Sequence, residues 1–322
     1  MTSSAFLKCL ESVVPDTREN EPLGAHNTIH IGGPARYMAF PTNESELAGL
    51  MQLISREPDL EKALIGRGAN MFADSEGYDG LIINMTRWDA EFALDEEGLL
   101  VVSGGVDMHA AAVEAARQGW CGIDFMGVVP GTIGAAVAIN AGTNVEGYVA
   151  DCLKWVDAVD YLGEKHHYRC EEMEFGYRTS RLLYGREIIT RAAFQLTSCE
   201  QAGRTAESTL ALFEKAMDAR RAKFPLNLPN FGSTFRSPGP PHPPAGKFID
   251  DLGMKGLRIG NAQISLMHGN FIVNLGGASS DDVLALMQRM HDAVLEHYQV
   301  SLRPEVHYLC NSGRPKPTFF LK

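Results

Sequence analysis

Two glycine-rich stretches contain the residues of this chain that are best suited to bind a large anionic ligand. The longer stretch, from Gly122 to Gly142, reads GIDFMGVVPGTIGAAVAINAG and has small apolar residues between its glycines. Such short side chains let backbone N–H groups come close to a bulky ligand. The shorter stretch, residues 63–72, reads ALIGRGANMF and repeats this composition after an apolar lead. Two loops of this kind can bind one diphosphate-containing cofactor from two sides.

Neither stretch matches a known phosphate-binding motif, so their spacing alone leaves the function open. The G-x-x-x-x-G-K-[ST] pattern is absent, and Gly66-Arg67-Gly68 lacks the third glycine of the dinucleotide fingerprint. A glycine-rich turn is more often a simple connection than a nucleotide site. Because glycine is frequent and Pro130 precedes Gly131, we expect no ordinary helix or strand between Gly122 and Gly142.

The composition is that of a globular protein with two or three domains. The chain has 322 residues, of which 45% are hydrophobic and 21% are charged, which suffices for several packed cores. A net charge of -11 argues against a nucleic-acid partner, because binding to phosphates needs clustered Lys and Arg. The short basic group Arg220, Arg221 and Lys223 suits a single diphosphate at most.

The cysteines and the apolar runs predict a cytoplasmic protein. The first residues, MTSSAFLKCLESVV, do not resemble a signal peptide, and no apolar run reaches the roughly 18 residues that span a bilayer. The six cysteines are scattered without C-x-x-C pairs, which favours free thiols in a reducing compartment over disulfides or a metal site. We expect no metal and no membrane partner, and the oligomeric state stays open.

Hydrophobic periodicity predicts α+β units in series. The segment Asn27–Phe40 reads as two strand-like pieces, and the prolines between residues 238 and 244 predict a surface loop. A long helix after Ser279 places a Met-bearing apolar stripe on one face, which indicates core packing. The other predicted helices are at residues 45–55, 107–118, 205–221 and 246–252, and the other predicted strands are at 62–65, 81–85, 99–103, 155–161, 188–196, 262–264 and 271–274.

The chain resembles the family of UDP-N-acetylenolpyruvoylglucosamine reductases, flavoenzymes of bacterial peptidoglycan precursor synthesis. The resemblance is collinear from about Asn27 to Val306, which makes it far more specific than any single motif. The matching segments are NTIHIGGPA (27–35), IGRGAN (65–70), GVVPGTIGAAVAINAG (127–142), FGYRTS (175–180), FGSTFRSP (231–238), AGKFIDDLGMKG (245–256), AQISLMHGNFIVN (262–274) and RPEV (303–306).

The resemblance implies an α+β fold with a two-part FAD-binding module of the vanillyl-alcohol-oxidase type and a C-terminal α+β substrate-binding domain. The expected boundaries are 1–86 and 87–203 for the two FAD-binding subdomains and 204–305 for the substrate-binding domain. The tail, residues 306–322, is a candidate to return to the first subdomain.

The resemblance also implies non-covalent FAD as the cofactor and NADPH as the hydride donor. The family usually has Ser or Thr where this chain has Ala69, so one hydroxyl contact to the cofactor is absent here. No His or Cys stands at an evident flavin-linkage position in either loop. The cofactor-binding residues that the resemblance implies are Gly66, Arg67, Gly68, Ala69, Asn70, Met71, Pro130, Gly131, Thr132, Gly134, Ala135 and Asn140.

Three positions resemble the family's catalytic residues. Ser233 corresponds to the donor of a proton to C2 of an enolpyruvyl ether, after hydride has reached C3. Arg178 in GYRTS and Glu305 in RPEV correspond to the pair that polarises the substrate carboxylate and stabilises the enol-like intermediate. Taken singly, each has a simpler explanation: a serine in a turn, an arginine in a surface ion pair and a glutamate at the end of a connection.

The resemblance places the uridine diphosphate of the substrate near Arg236, Ser237 and His268. The family usually has Asn at the position of Ser237, and a lone histidine is more often structural than a ligand. The chain also lacks the insertion that carries a substrate-clamping tyrosine in one subgroup. Two alternatives to the reductase therefore stay open: a flavoprotein of this fold that acts on another substrate, and a catalytically silent flavin-binding paralogue.

Overall fold

The computed structural model describes residues 3–143, 147–183, 187–314 and 316–320, and its chain forms two compact units. The first unit comprises the described residues of Met1–Arg18, Met38–Arg67 and Ile82–Met217. The second unit comprises those of Glu19–Tyr37, Gly68–Leu81 and Asp218–Lys322. The chain therefore enters the second unit three times. The three consecutive domains expected at 1–86, 87–203 and 204–305 differ from this division and stay a prediction.

The predicted helices are confirmed, and capping side chains fix where several of them begin. Asn43 accepts a hydrogen bond from the backbone of Glu46 at 3.0 Å, and Asp107 accepts one from Ala110 at 2.9 Å, which satisfies N–H groups at the helix starts. The helices are α1 (Ser3–Val13), α2 (Glu44–Ile54), α3 (Met108–Arg117), α4 (Ile133–Ala138), α5 (Val149–Cys152), α6 (Ala206–Lys223), α7 (Ala245–Asp251) and α8 (Ser280–Tyr298).

The predicted strands are largely confirmed, with ends that differ by a few residues. The strands are β1 (Thr17–Pro22), β2 (Pro34–Ala39), β3 (Glu61–Ile65), β4 (Met71–Ala73), β5 (Tyr78–Asn84), β6 (Phe92–Leu94), β7 (Leu99–Ser103), β8 (Trp120–Cys121), β9 (Gly142–Thr143), β10 (Gly147–Tyr148), β11 (Leu153–Asp160), β12 (Lys165–Arg169), β13 (Glu187–Gln195), β14 (Thr197–Ser198), β15 (Arg258–Ile259), β16 (Ala262–Ile264), β17 (Ile272–Asn274) and β18 (His307–Leu309). β1, β2, β5 and β3 form one sheet in that order.

A five-stranded antiparallel sheet in the order β12-β11-β13-β7-β6 organises the first unit. The central strand β13 pairs with β11 on one side and β7 on the other. Four alanines of α3 are buried in the same apolar cluster as residues of these strands, and their small side chains allow close approach. They are Ala111, Ala112, Ala115 and Ala116. α4 belongs to this cluster too. The sheet and its helices therefore give the loops around α4 a rigid support.

The second unit has a core built on α8 and the small antiparallel sheet β15-β16-β17. The predicted apolar stripe of α8 is confirmed, because Val283, Leu286, Met287, Met290 and Val294 are all buried. The strand β18, from the tail, pairs in parallel with β4, so His307 lies opposite Met71. The tail thus contacts a segment that precedes the long middle part of the chain.

Two predictions from local sequence were wrong. The first strand-like piece of Asn27–Phe40 is not a strand, because the Asn27 side chain bonds to the backbone of Leu23 and Ile31 and curls the chain. The stretch Gly122–Gly142 does contain a short helix, α4, whose first turn is capped by the Thr132 hydroxyl. The proline-rich segment 238–244 is largely exposed, as predicted.

Candidate functional site

The part of the shorter glycine-rich loop that lies in the first unit, up to Arg67, packs against the longer loop. A Cβ on Gly66 would lie 2.7 Å from the Thr132 hydroxyl oxygen, which is too close for a real side chain. The Arg67 guanidinium forms an ion pair with Asp107, the residue that caps α3. Glycine at position 66 therefore lets the shorter loop pack directly against the longer one.

The longer loop is fixed by backbone hydrogen bonds to the connection between β7 and α3. Met108 N–H donates to the carbonyl of Gly131 at 3.0 Å, Ile133 N–H donates to Val106 at 2.9 Å, and Gly134 N–H donates to Gly104 at 2.8 Å. These bonds use up the N–H groups of Ile133 and Gly134. Gly134 therefore has no N–H group left for a cofactor, and its role is in packing the loop.

The N–H groups of Gly131 and Thr132 donate to no protein acceptor in the described part of the chain. Gly131 has a φ of 154°, which side chains other than glycine rarely accept. Of the other predicted cofactor residues nearby, Pro130 and Ala135 are exposed. The unused donors lie directly before α4.

The shorter loop turns its carbonyl groups toward the protein and leaves its amides unused. The carbonyl of Gly68 accepts a hydrogen bond from Thr28 at 3.2 Å, and that of Asn70 accepts one from His307 at 3.0 Å. By contrast, the N–H groups of residues 67–70 have no protein acceptor among the residues that the structure describes. A run of successive unpaired amides suits an anionic group such as a diphosphate.

Two predicted cofactor residues of the shorter loop also have structural contacts. The Asn70 side chain donates to the backbone carbonyl of Glu305 at 3.1 Å. Met71 is the first residue of β4 and lies opposite His307 of β18. Ala69 is half-buried. Within the second unit, Asn70 therefore ties the end of the shorter loop to the RPEV segment.

Arg178 lies at the tip of a tight turn in the first unit. The turn is closed by two hydrogen bonds between Gly176 and Thr179, at 3.1 Å from the Gly176 N–H and 3.3 Å from the Thr179 N–H. Arg178 has a φ of 56°, a left-handed conformation that is uncommon for a long side chain. Its side chain is half-buried. The sequence FGYRTS thus folds to present one arginine from a strained position.

Backbone pairing in the second unit places Glu305 beside Thr234, the residue that follows Ser233. Phe235 and Pro304 form an antiparallel bridge. Glu305 N–H donates to the carbonyl of Thr234 at 2.9 Å, and Arg236 N–H donates to Arg303 at 2.8 Å. The segment that follows Ser233 and the RPEV segment therefore lie side by side. This juxtaposition of the two segments depends on a sequence separation that local patterns do not reveal.

Two asparagines hold the Ser233 turn in place. The Asn270 side chain donates to the Phe235 carbonyl at 2.8 Å and accepts from the Phe235 N–H at 3.0 Å, and its own carbonyl accepts from Thr234 N–H at 2.8 Å. On the other side, Asn230 accepts from Gly232 N–H at 2.9 Å. Gly232 has a φ of 80°, so the turn needs glycine there.

Of the predicted nucleotide-binding residues, His268 and Arg236 have features of ligand donors. The Nδ1 atom of His268 accepts a hydrogen bond from Asn270 N–H at 3.2 Å, so the neutral ring carries its proton on Nε2. Burial lowers the pKa of His268, and Lys223 and Lys255 lower it further, although Asp250 acts in the opposite direction. The Arg236 Nε atom is buried with no hydrogen-bond partner among the described residues. Ser237 is exposed.

Sequence reasoning missed the asparagines at 230 and 270 and the contacts of the tail. Asn270 stands inside a matching segment and Asn230 directly precedes one, yet their spacing gave no sign that they bind one turn from two sides. The tail was expected to return to the first subdomain, but no contact of its own was predicted, and Arg314 pairs with the buried Asp74 at 2.6 Å. In the described part of the chain, no group of His, Cys, Asp and Glu could hold a metal ion. The predicted free thiols are confirmed, and Cys121, Cys199 and Cys310 are buried.

Comparisons with known proteins agree with this architecture. The family model described as "UDP-N-acetylenolpyruvoylglucosamine reductase, C-terminal domain" matches residues 224–309, and the model described as "FAD binding domain" matches residues 35–169. The latter range includes both glycine-rich loops. Among the described residues, no helix is both long and apolar enough to cross a membrane.

Similar proteins cover nearly the whole chain. The UDP-N-acetylenolpyruvoylglucosamine reductase of Heliobacterium modesticaldum is 38% identical over 92% of this chain and 91% of its own length, and that of Caldicellulosiruptor saccharolyticus is 35% identical over 94% and 95%. The crystal structure of the reductase from Thermus caldophilus has a TM-score of 0.72 and 32% identity, and covers 91% of this chain and 98% of that one.

The fold and the matched domains show the class of protein to which this chain belongs. It is an FAD-dependent oxidoreductase with a C-terminal α+β domain. The chain belongs to the UDP-N-acetylenolpyruvoylglucosamine reductase family. The predicted family, fold class and FAD cofactor are thereby confirmed. The assignments of individual site residues stay predictions.

Proposed function

We propose that the protein reduces the enolpyruvyl ether of UDP-N-acetylglucosamine to UDP-N-acetylmuramate with NADPH, in peptidoglycan precursor synthesis. The observation that carries this proposal is the backbone pairing of residues 234–236 with residues 303–305, which places Glu305 beside Thr234, the residue that follows Ser233. The names of relatives that are aligned over most of the chain support the substrate. The reaction needs a hydride donor, a proton donor and a group that accepts negative charge.

The unused amides of the two loops are our candidates for binding the FAD diphosphate. Residues 67–70 offer successive N–H groups, and Gly131 and Thr132 offer two more. No thiol or imidazole of these loops is available for a covalent link, so we expect the FAD to be released by denaturation. When bound, FAD supplies hydride transfer from NADPH to C3 of the enolpyruvyl group.

Ser233, Glu305 and Arg178 have distinct roles in this proposal. Ser233 gives its hydroxyl proton to C2, where a positioned donor replaces water. The charge that develops on the enolpyruvyl carboxylate is delocalised toward the Arg178 guanidinium, and Glu305 stabilises the enol-like form in its protonated state. The two asparagines hold the backbone on both sides of Ser233, which favours a positioned proton donor.

Arg236, Ser237 and His268 are our candidates for the uridine diphosphate. A buried Nε without a protein partner suits an oxygen of the ligand, because an unpaired buried donor is costly. His268 is neutral at physiological pH because its pKa is lowered, so it donates from Nε2 without adding charge. Free thiols throughout the described part support a reducing, cytoplasmic location.

Ser233→Ala tests the proposal by separating the two half-reactions. NADPH should still bleach the flavin at close to the normal rate, whereas reoxidation by the enolpyruvyl substrate should slow by about 10²- to 10⁴-fold. Ser233→Cys should recover part of this loss, since a thiol donates from nearly the same place. Stopped-flow absorbance of the flavin measures both halves.

The adjacent residue offers a matched control. Thr234 is fully buried and its hydroxyl has no partner in the described part of the chain, so Thr234→Val keeps the shape and the backbone bonds. It should leave both half-reactions within about twofold. Equal slowing of both halves in Ser233→Ala would indicate a damaged cofactor site, and no slowing of the second half would remove Ser233 from the mechanism.

A further inference from the structure

Asn140 contacts the backbone of two other segments with both ends of its side-chain amide. It follows α4, is 7% exposed and has a φ of 46°. Its Nδ2 donates to the carbonyl of Gly176 at 3.1 Å, and its Oδ1 accepts from Ala150 N–H at 3.0 Å. The polar atoms of this buried side chain are therefore engaged within the protein, although the sequence suggested a cofactor contact.

The Gly176–Thr179 turn is anchored to the end of α4 on both sides. Asn140 binds the carbonyl of Gly176, and the hydroxyl of Ser180 donates to the carbonyl of Ala138 at 2.8 Å. The turn itself is no part of a longer strand or helix. The tip of the turn is thus positioned by these two bonds and by the hydrogen bonds between Gly176 and Thr179.

The helix α4 consequently connects Gly131 and Thr132 of the longer glycine-rich loop to the turn that carries Arg178. Thr132 caps the start of α4, directly after the unused N–H of Gly131. Asn140 and Ala138, at its other end, hold the turn. Six helical residues separate the two ends, and a helix rises by a fixed distance per residue. The spacing between the loop and the turn is therefore set by a rigid element.

We propose that Asn140 is a positioning residue for Arg178 and not a cofactor ligand. This inference rests on the proposed role of Arg178. Asn140 holds the carbonyl of Gly176, this carbonyl closes the turn, and the turn keeps Arg178 in its left-handed conformation. Asparagine suits the position because it tolerates positive φ and offers both a donor and an acceptor.

Asn140→Asp removes the donor with the least change of shape. Aspartate tolerates the same φ and still accepts from Ala150 N–H, but its carboxylate would repel the Gly176 carbonyl. Asn140→Gly keeps the backbone conformation and removes both bonds, so it provides a second variant if the aspartate form does not fold. Asn43→Ala is the control for a general loss of stability, because it removes an N-cap bond of α2 in the same unit.

The holoenzyme of each variant is compared in two measurements. We expect kcat/KM for the enolpyruvyl substrate to fall by about 10- to 10²-fold in Asn140→Asp, since small misplacement of a catalytic group has effects of this size. The dissociation constant of FAD and the rate of flavin reduction by NADPH should change by less than about twofold. In the Arg178→Ala background the effect of Asn140→Asp should disappear, because Asn140 acts through Arg178.

Hydrogen exchange of the Gly176 and Thr179 amides tests the geometry without relying on catalysis. Exchange at both amides should become faster in Asn140→Asp and Asn140→Gly and stay unchanged in Asn43→Ala. Unchanged exchange would overturn the inference, as would a loss of FAD affinity that persists in the Arg178→Ala background. If Arg178→Ala alone has no effect on turnover, the role of Arg178 fails, while the exchange result still decides whether Asn140 holds the turn.

Discussion

Arg314 is expected to stabilise the second unit because it neutralises a buried carboxylate. Asp74 is 1% exposed. Its Oδ2 accepts from the Arg314 Nε at 2.6 Å and from the Tyr308 hydroxyl at 3.0 Å, and its Oδ1 accepts from Glu76 N–H at 3.0 Å. Burial raises the pKa of Tyr308 to about 12, so its hydroxyl remains a donor at neutral pH.

The loss of stability expected in Arg314→Ala depends on which hydrogen bonds Asp74 keeps. Removing one partner of a buried ion pair costs about 3 to 5 kcal/mol. Asp74 keeps two neutral hydrogen bonds, so we expect the lower end, about 3 kcal/mol. The further pairs of Arg314 with Glu76 and Asp281 add little, because those carboxylates are 79% and 72% exposed.

Native-state hydrogen exchange of the holoenzyme is the suitable assay, because Trp88, Trp120 and Trp155 all lie in the first unit and their fluorescence does not report on the second. Amides of β4 and β18 should exchange about 10²-fold faster in Arg314→Ala, which corresponds to 3 kcal/mol at about 1.4 kcal/mol per factor of ten. Arg36→Ala is the matched control, since its pair with Asp79 is exposed.

Replacing Asp74 by a neutral residue tests whether its buried charge is the reason that Arg314 stabilises the unit. Adding Asp74→Asn to Arg314→Ala should restore most of the protection, because an amide needs no opposite charge. If Arg314→Ala exchanges no faster than Arg36→Ala, or if Asp74→Asn fails to restore protection, the buried charge is not what Arg314 stabilises.

Three further predictions concern the cofactor loops and pH. Gly131→Val should weaken FAD binding, because φ is 154° and a Cβ would lie 3.1 Å from the Met108 sulfur; unchanged affinity would refute the assignment of this loop. Acid precipitation should release all flavin, and a yellow pellet would show a covalent link. Because the pKa of His268 is lowered in the folded protein, the unfolded chain binds its proton more readily, and stability falls as pH drops below about 6.5. His268→Gln should therefore lose less stability on acidification, measured as the shift of the urea midpoint; an equal shift would contradict this.

The helices and strands were predictable because they depend on local patterns. The stripe of α8 repeats at helical spacing, and Asn43 and Asp107 stand where a cap is needed. Asn27 shows the limit of local patterns: it begins a segment that suggested a strand, whereas its side chain competes for the backbone hydrogen bonds and curls the chain. A single polar side chain can override the preference of its neighbours.

The candidate site was predictable only through resemblance to a family. Ser233 and Glu305 are far apart in the chain, and nothing in their spacing indicates that Thr234 and Glu305 share a hydrogen bond. Likewise the resemblance implied that Asn140, inside the longer glycine-rich stretch, contacts the cofactor, although its amide binds Gly176 and Ala150. Such roles arise from long-range pairing, which composition and periodicity do not encode.

The most direct test of the proposed function is to mix the purified yellow protein with NADPH, with and without the enolpyruvyl ether of UDP-N-acetylglucosamine, and to follow NADPH absorbance. We predict oxidation of NADPH that depends on the substrate and matches it in amount, with UDP-N-acetylmuramate as the product by mass spectrometry. A protein whose flavin is bleached by NADPH but not reoxidised by this substrate would contradict the proposed function.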